Sequence, residues 1–124
     1  MDNNDWIDAQ KNRLKQNSSI EGPHSCWICK LGGLNRRYST MTVRFPNEDS
    51  KKTVYSHRLS YMLYNNIFDV SSTVHISHRC HNKRCVNPEH LSGEPEHVNQ
   101  DRQICRGIFP TRCKKHDPFP ECLL

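Results

Sequence analysis

Seven cysteines and eight histidines lie in this chain of 124 residues, and most of them fall into two runs whose spacing suits a metal ion. The first run is Cys80-x4-Cys85-x4-His90, and the second is Cys105-x7-Cys113-x2-His116-x5-Cys122. Zinc takes four tetrahedral sulfur or nitrogen ligands, and closely spaced pairs on tight loops supply them readily. The second run is a complete local set. The first holds three ligands and needs a fourth, for which Cys26-x2-Cys29 offers two candidates. Two sites of the Cys3His type leave one of the seven cysteines over. We assign Cys26 to the first site and Cys29 as the spare, with Cys29 as the alternative ligand.

The compartment follows from the same residues. An odd cysteine count leaves a disulfide framework incomplete, and the charged opening MDNNDWIDAQKNRLK is not a secretory signal. No run approaches the roughly 18 apolar residues of a membrane span. Clustered cysteines then point to zinc in a reducing intracellular setting, nuclear or cytoplasmic, rather than to a secreted or membrane protein.

Something must hold these residues in place, and the composition leaves little core to do it. Only 34% of the chain is hydrophobic, so one small domain of this length needs staples. Each structural zinc supplies on the order of 10 kcal/mol of apparent folding free energy. Residues 1–20 read as a basic lead-in, with a short helix over Asp5–Lys15 docked by Trp6 and Leu14 and broken at Asn17-Ser18-Ser19. Residues 21–124 read as a single domain, with the first zinc spanning 26–90 and the second 105–122. Across 36–56 the pattern predicts a β-hairpin. Met41, Val43 and Phe45 alternate with Thr40, Thr42 and Arg44, Pro46–Ser50 turn the chain, and Thr53–Tyr55 return it. Ser56 is the expected N-cap of a helix over His57–Tyr64, with Leu59, Met62 and Leu63 as its apolar stripe and Asn65-Asn66 as its end. Short strands are expected at Val74–Arg79 and His90–Ser92. A last helix should run to about Ile104, with Pro95 in its first turn. His24 and His57 fit neither metal run and read as surface or core residues. His97 reads as surface or DNA-facing.

The string from Ile76 to Leu91, Ile-Ser-His-Arg-Cys-His-Asn-Lys-Arg-Cys-Val-Asn-Pro-Glu-His-Leu, resembles the His-Cys box homing endonucleases of the I-PpoI type, within the ββα-metal or His-Me finger superfamily. The matching elements are Ser77-His78-x-Cys80-His81-Asn82, Arg84-Cys85, Asn87-Pro88-x-His90-Leu91, and Asn99 ahead of Cys105. The resemblance implies an α+β fold, a small zinc-stapled ββα-metal arrangement with an antiparallel hairpin, short helices and little core. It implies that His78 is a general base and that Asn99 is the side-chain ligand of one catalytic Mg2+, for which Mn2+ is an acceptable substitute. It implies one zinc on Cys26, Cys80, Cys85 and His90, and another on Cys105, Cys113, His116 and Cys122. The family also uses an arginine to stabilise the strained phosphate. Arg44 is the choice here, because the strand alternation puts it on the polar face.

That chemistry is self-consistent. Phosphodiester hydrolysis needs an activated water, a Lewis acid on the phosphate and charge relief at the leaving oxygen. A neutral imidazole is a suitable base near pH 7, and a neutral amide oxygen suits hard Mg2+. The competing assignment for His78 is another zinc ligand, and His75 and His81 compete with it for the role of base. The net charge of +5 suits a polyanion. Arg36, Arg37, Arg44, Lys51, Lys52, Lys83 and Arg84 gather on the hairpin and zinc loop, where they would contact phosphates of double-stranded DNA. Thr40, Thr42 and Arg44 are candidate base readers, since a two-stranded ribbon fits the major groove. The expected activity is Mg2+-dependent cleavage leaving 5′-phosphate and 3′-hydroxyl ends. The alternatives are a non-catalytic, transcription-factor-like DNA-binding domain on the same scaffold, and a zinc-dependent protein-interaction module. The resemblance implies a possible homodimer, as family members form with a swapped C-terminal tail, although a counterpart of that tail is not expected after Cys122.

Overall fold

The computed structural model describes residues 3–33, 36–68, 74–107, 116 and 118–123. Cys113 lies outside them. The chain runs α1 (Asn3–Gln16), β1 (Ser18–Ile20), β2 (Trp27–Cys29), β3 (Thr40–Val43), β4 (Lys52–Tyr55), α2 (Ser56–Asn65), β5 (Val74–His78), a 3-10 turn (Pro88–His90), β6 (Leu91–Pro95) and α3 (Glu96–Gly107). Consecutive strands pair antiparallel into three separate two-stranded hairpins. The architecture is a small α+β fold with two Cys/His clusters able to hold zinc.

The lead-in helix is integral to the domain. Trp6 and Leu14 lie about two turns apart, so they share a face, and both are buried. The Trp6 indole donates to the Arg44 carbonyl at 3.0 Å, and Arg13 donates to the Thr42 carbonyl at 2.7 Å. α1 therefore clasps β3. Asn17 and Ser18 return their side chains to the Arg13 and Leu14 carbonyls, which closes the end of the helix. The chain then forms the β1–β2 hairpin, which pairs Ser18 with Cys29 and Ile20 with Trp27. Its strands are too short for an alternating pattern to announce.

In the β3–β4 hairpin Met41 and Val43 are buried while Thr42 and Arg44 are exposed, as the alternation requires. Two local expectations are corrected. The N-cap of α2 is Tyr55, which makes no side-chain cap. Ser56 is the first helical residue, and its hydroxyl instead meets the Ser39 hydroxyl at 2.7 Å in a buried pair. Pro95 ends β6 rather than opening α3. There its missing N–H leaves no ladder bond unmade beyond the strand end. Asn66 closes α2 in the left-handed region, with φ of 54°.

One apolar cluster joins Trp6, Leu14, Met41, Val43, Leu59, Leu63 and Val86, and Cys29 packs among them with no exposed surface. The β5–β6 hairpin and α3 contribute none of these side chains. Ile76, Leu91 and Val98 are buried there outside that cluster, beside polar bonds and the cysteine clusters. Among the described residues, no helix is long and apolar enough to cross a membrane.

Candidate active site and metal centres

The loop between β5 and β6 folds back so that its cysteines meet a residue from far upstream. Cys26, Cys80, Cys85 and His90 place their ligand atoms within 4.8 Å of one another. His90 presents Nδ1 to the sulfurs of Cys26 and Cys85, at 3.5 Å each. Its Nε2 lies 2.9 Å from the His24 carbonyl, which fixes the ring and leaves Nδ1 as the ligand atom. Hydrogen bonding from Cys85 pulls the Cys80 thiol down to about 5. Burial pushes Cys26 up to about 11, and the bond to Cys80 pushes Cys85 up as well. The sulfurs thus oppose one another's ionisation, and a cation at their centre would let all three charge. Cys29 stands apart, buried in the apolar core.

Cys105, His116 and Cys122 form a second group, again with ligand atoms within 4.8 Å. Both sulfurs lie 3.5 Å from His116 Nε2. The expected fourth ligand, Cys113, falls outside the described residues. The C-terminal segment is tied back to β5: Leu123 N–H donates to the Arg79 carbonyl, and the Arg79 side chain bonds the Glu121 and Glu89 carbonyls.

The walls of an open pocket of about 300 Å3 include Tyr38, His57, Arg58, His78, Lys83 and Asn99. His78 and Asn99 thus face one space, from the end of β5 and from α3. The His78 ring hydrogen-bonds the Cys85 backbone, so it hangs from a residue of the first cluster. Its Nε2 is buried and has no hydrogen-bond partner. Burial draws the imidazole down to about 4, against the raising effect of that backbone bond, so it is neutral at pH 7. Asn99 donates its amide N–H to the Ser77 hydroxyl at 2.7 Å, so the carbonyl oxygen is the end of the amide turned away from Ser77.

His57, assigned above to surface or core, is a wall of this pocket and lies against the His78 ring at 4.4 Å between centroids. Tyr38 and Tyr55 extend the stack, at 5.4 and 5.7 Å from His57. Burial first, then His78 and Arg58, holds His57 well below its ordinary pKa. The signal in the sequence was its place at the hairpin–helix junction, in the first turn of α2. His75 and His81 also line the pocket, and neither belongs to the Cys26 or Cys105 groups.

The predicted basic surface divides. Lys83 lines the pocket and lies 5.8 Å over the Tyr38 ring, and Arg37 adjoins it beside His81. Arg44 and Lys51 line a different hollow with Arg13 and Trp6, so Arg44 is not brought to His78 and Asn99. Arg36 and Arg37 are exposed ahead of Thr40. Lys52 pairs with Glu48 at 2.8 Å in solvent. Arg84 turns inward and binds the carbonyls of Cys29, Leu31, Gly33 and Arg36, so its fork organises the loop before β3. The pocket cations are Arg58, Lys83 and Arg102. Among the described residues no Asp or Glu lines it.

A histidine and an amide lining one pocket with three cations, on a small α+β scaffold with two Cys/His clusters able to hold zinc, define the class of site. Residues 25–122 match the family model described as the zinc-binding loop region of homing endonuclease, and the chain belongs to that family. No curated protein and no solved structure matches it.

Proposed function

We propose that this chain is a Mg2+-dependent endonuclease of the His-Cys box type that hydrolyses phosphodiester bonds in double-stranded DNA, leaving 5′-phosphate and 3′-hydroxyl ends. The observation that carries the reading is that His78, whose Nε2 has no hydrogen-bond partner, lines the same cationic pocket as Asn99. His78 is neutral and rigidly hung, so Nε2 accepts a proton from a water aligned with the phosphorus. The Asn99 oxygen is a hard, neutral donor of the kind Mg2+ takes alongside phosphate oxygens and water, and the bound ion supplies Lewis-acid charge at the phosphate. Arg58 and Lys83 stand at the pocket and take the charge-stabilising role expected of Arg44. The exposed face of β3–β4, with Thr40, Thr42, Arg44, Lys51 and Lys52, serves as the DNA surface along with Arg36 and Arg37. Two structural zinc ions, on the Cys26 and Cys105 groups, hold the frame.

The test is plasmid cleavage by the zinc-loaded chain with and without Mg2+. His78→Ala should lower the rate by about 10²- to 10⁴-fold, with zinc content and DNA affinity unchanged. Cleavage that survives the substitution removes His78 as base. Protein that binds DNA and never cuts it, in Mg2+ or Mn2+, is a binding domain instead.

A further inference from the structure

Among the described residues one ion pair has both side chains buried, and its arginine also lines the pocket. Arg102 on α3 and Glu94 on β6 form an ion pair whose side chains are 2% and 0% exposed. It is bidentate: Nε meets Oε2 at 2.6 Å and one terminal nitrogen meets Oε1 at 2.7 Å. The other terminal nitrogen lies 3.3 Å from Cys122 Sγ, in the second cysteine cluster. Against the raising effect of burial, the Ser77 and Ser92 hydroxyls also act on Glu94 and, with Arg102, hold its carboxyl below its ordinary range. Ser77 Oγ in turn accepts from Asn99 Nδ2 at 2.7 Å.

The direction of every bond in this chain is fixed. Arginine only donates, and an ionised carboxylate only accepts. Ser77 has one proton, and the carboxylate takes it. The hydroxyl can therefore meet Asn99 only as an acceptor, so the amide must present NH2 to serine and oxygen to the pocket. With the amide turned over, two acceptors would face each other.

We infer that Arg102, Glu94 and Ser77 are positioning residues that fix which end of the Asn99 amide faces the pocket and tie it to Cys122 of the second metal cluster. This rests on the reading of Asn99 as the Mg2+ ligand. With the Cys85 bond to His78, each of the two reacting groups is then oriented from a different cysteine cluster.

The experiment uses the full zinc-loaded chain and compares Ser77→Ala, Ser77→Thr, Glu94→Gln and Asn99→Ala. The first readout is the side-chain NH2 resonance pair of Asn99 in 15N NMR, without DNA or Mg2+. The second is the Mg2+ concentration giving half-maximal plasmid cleavage. Ser77→Ala should move the NH2 pair toward solvent-exposed values and raise the Mg2+ midpoint by about 10-fold, within the range for loss of an outer-shell partner. Ser77→Thr, which keeps the hydroxyl, should restore both. Glu94→Gln should do the same as Ser77→Ala and also hasten release of one zinc to a chromogenic chelator. If Asn99→Ala raises the midpoint while Ser77→Ala moves neither readout, the relay is refuted and the ligand assignment stands. If Asn99→Ala leaves the midpoint unchanged, the ligand assignment falls and the relay falls with it.

Discussion

The ion pair between Arg102 and Glu94 makes a sharp quantitative prediction, because its two halves are so unequally replaceable. Glu94→Leu removes the carboxylate and leaves a guanidinium that is 2% exposed. Its remaining partners are the Pro120 carbonyl at 2.7 Å and the Cys122 sulfur, and neither matches the lost bidentate contact. An uncompensated buried charge of this kind costs about 3–5 kcal/mol. A small domain has on the order of 5–15 kcal/mol in total, so the single variant should stand near the edge of folding. The double variant Glu94→Leu, Arg102→Met removes both charges and should regain most of the loss. It still forfeits the bond to the Pro120 carbonyl, at about 1 kcal/mol, so it should settle within about 2 kcal/mol of the parent. The assay is urea unfolding of the four proteins in the cycle at fixed free zinc, followed by tryptophan emission, since Trp6 is buried. If the double variant is as unstable as the sum of the two singles, the pair carries no coupling. The burial argument is then wrong.

Three further outcomes follow from single features. Cys26→Ser should lose one zinc equivalent, whereas Cys29→Ala should keep both, because Cys29 packs in the core; zinc lost in Cys29→Ala and kept in Cys26→Ser would exchange their roles. His57 is neutral in the folded state, whereas in the unfolded chain it takes a proton as pH falls past about 6.5. Its contribution to stability is therefore intact above that pH and is lost below it, by up to about 2 kcal/mol at pH 5. His57→Phe, compared with the parent at pH 7.5 and 5.0, should lose less stability on acidification; an identical loss in both would mean the burial of His57 is not felt. Lys52→Ala should change stability by less than about 1 kcal/mol, since its pair with Glu48 is exposed. If Lys52 meets phosphate, the same change flattens the salt dependence of DNA affinity by about one unit of slope.

The parts of this fold legible in the sequence are those with periodicity or fixed ligand spacing. Alternation along Thr40–Phe45 gave the buried and exposed faces of β3, and the Cys80–Cys85–His90 spacing gave the first cluster. The β1–β2 hairpin was not legible. Three residues per strand carry no period, and backbone bonds such as Cys29 N–H to the Arg84 carbonyl hold it in place. Ser56 looked like a cap because serine caps helices often. Its hydroxyl was already committed to Ser39, a partner seventeen residues away. His57 and Arg84 show the same limit from opposite sides. One looked inert and lines the pocket. The other looked like a phosphate contact and turned inward to four carbonyls. Side-chain direction at a junction or in an irregular loop depends on tertiary geometry, which spacing does not encode.

The distribution of apolar side chains explains why the metal clusters and the pocket are neighbours. The core cluster draws on α1, α2, β2, β3 and Val86, so hydrophobic burial secures the first half of the domain. β5, β6 and α3, which carry His78 and Asn99, bury Ile76, Leu91 and Val98 outside that cluster, and directional bonds supplement this smaller packing. A thiolate cluster and a buried ion pair hold a geometry more narrowly than apolar contact, because their energy falls steeply with distance and angle. They also fail abruptly when one member is lost. Precision at the reacting groups therefore comes with fragility: zinc removal should abolish the placement of His78 and Asn99 well before it unfolds the α1–β3–α2 core.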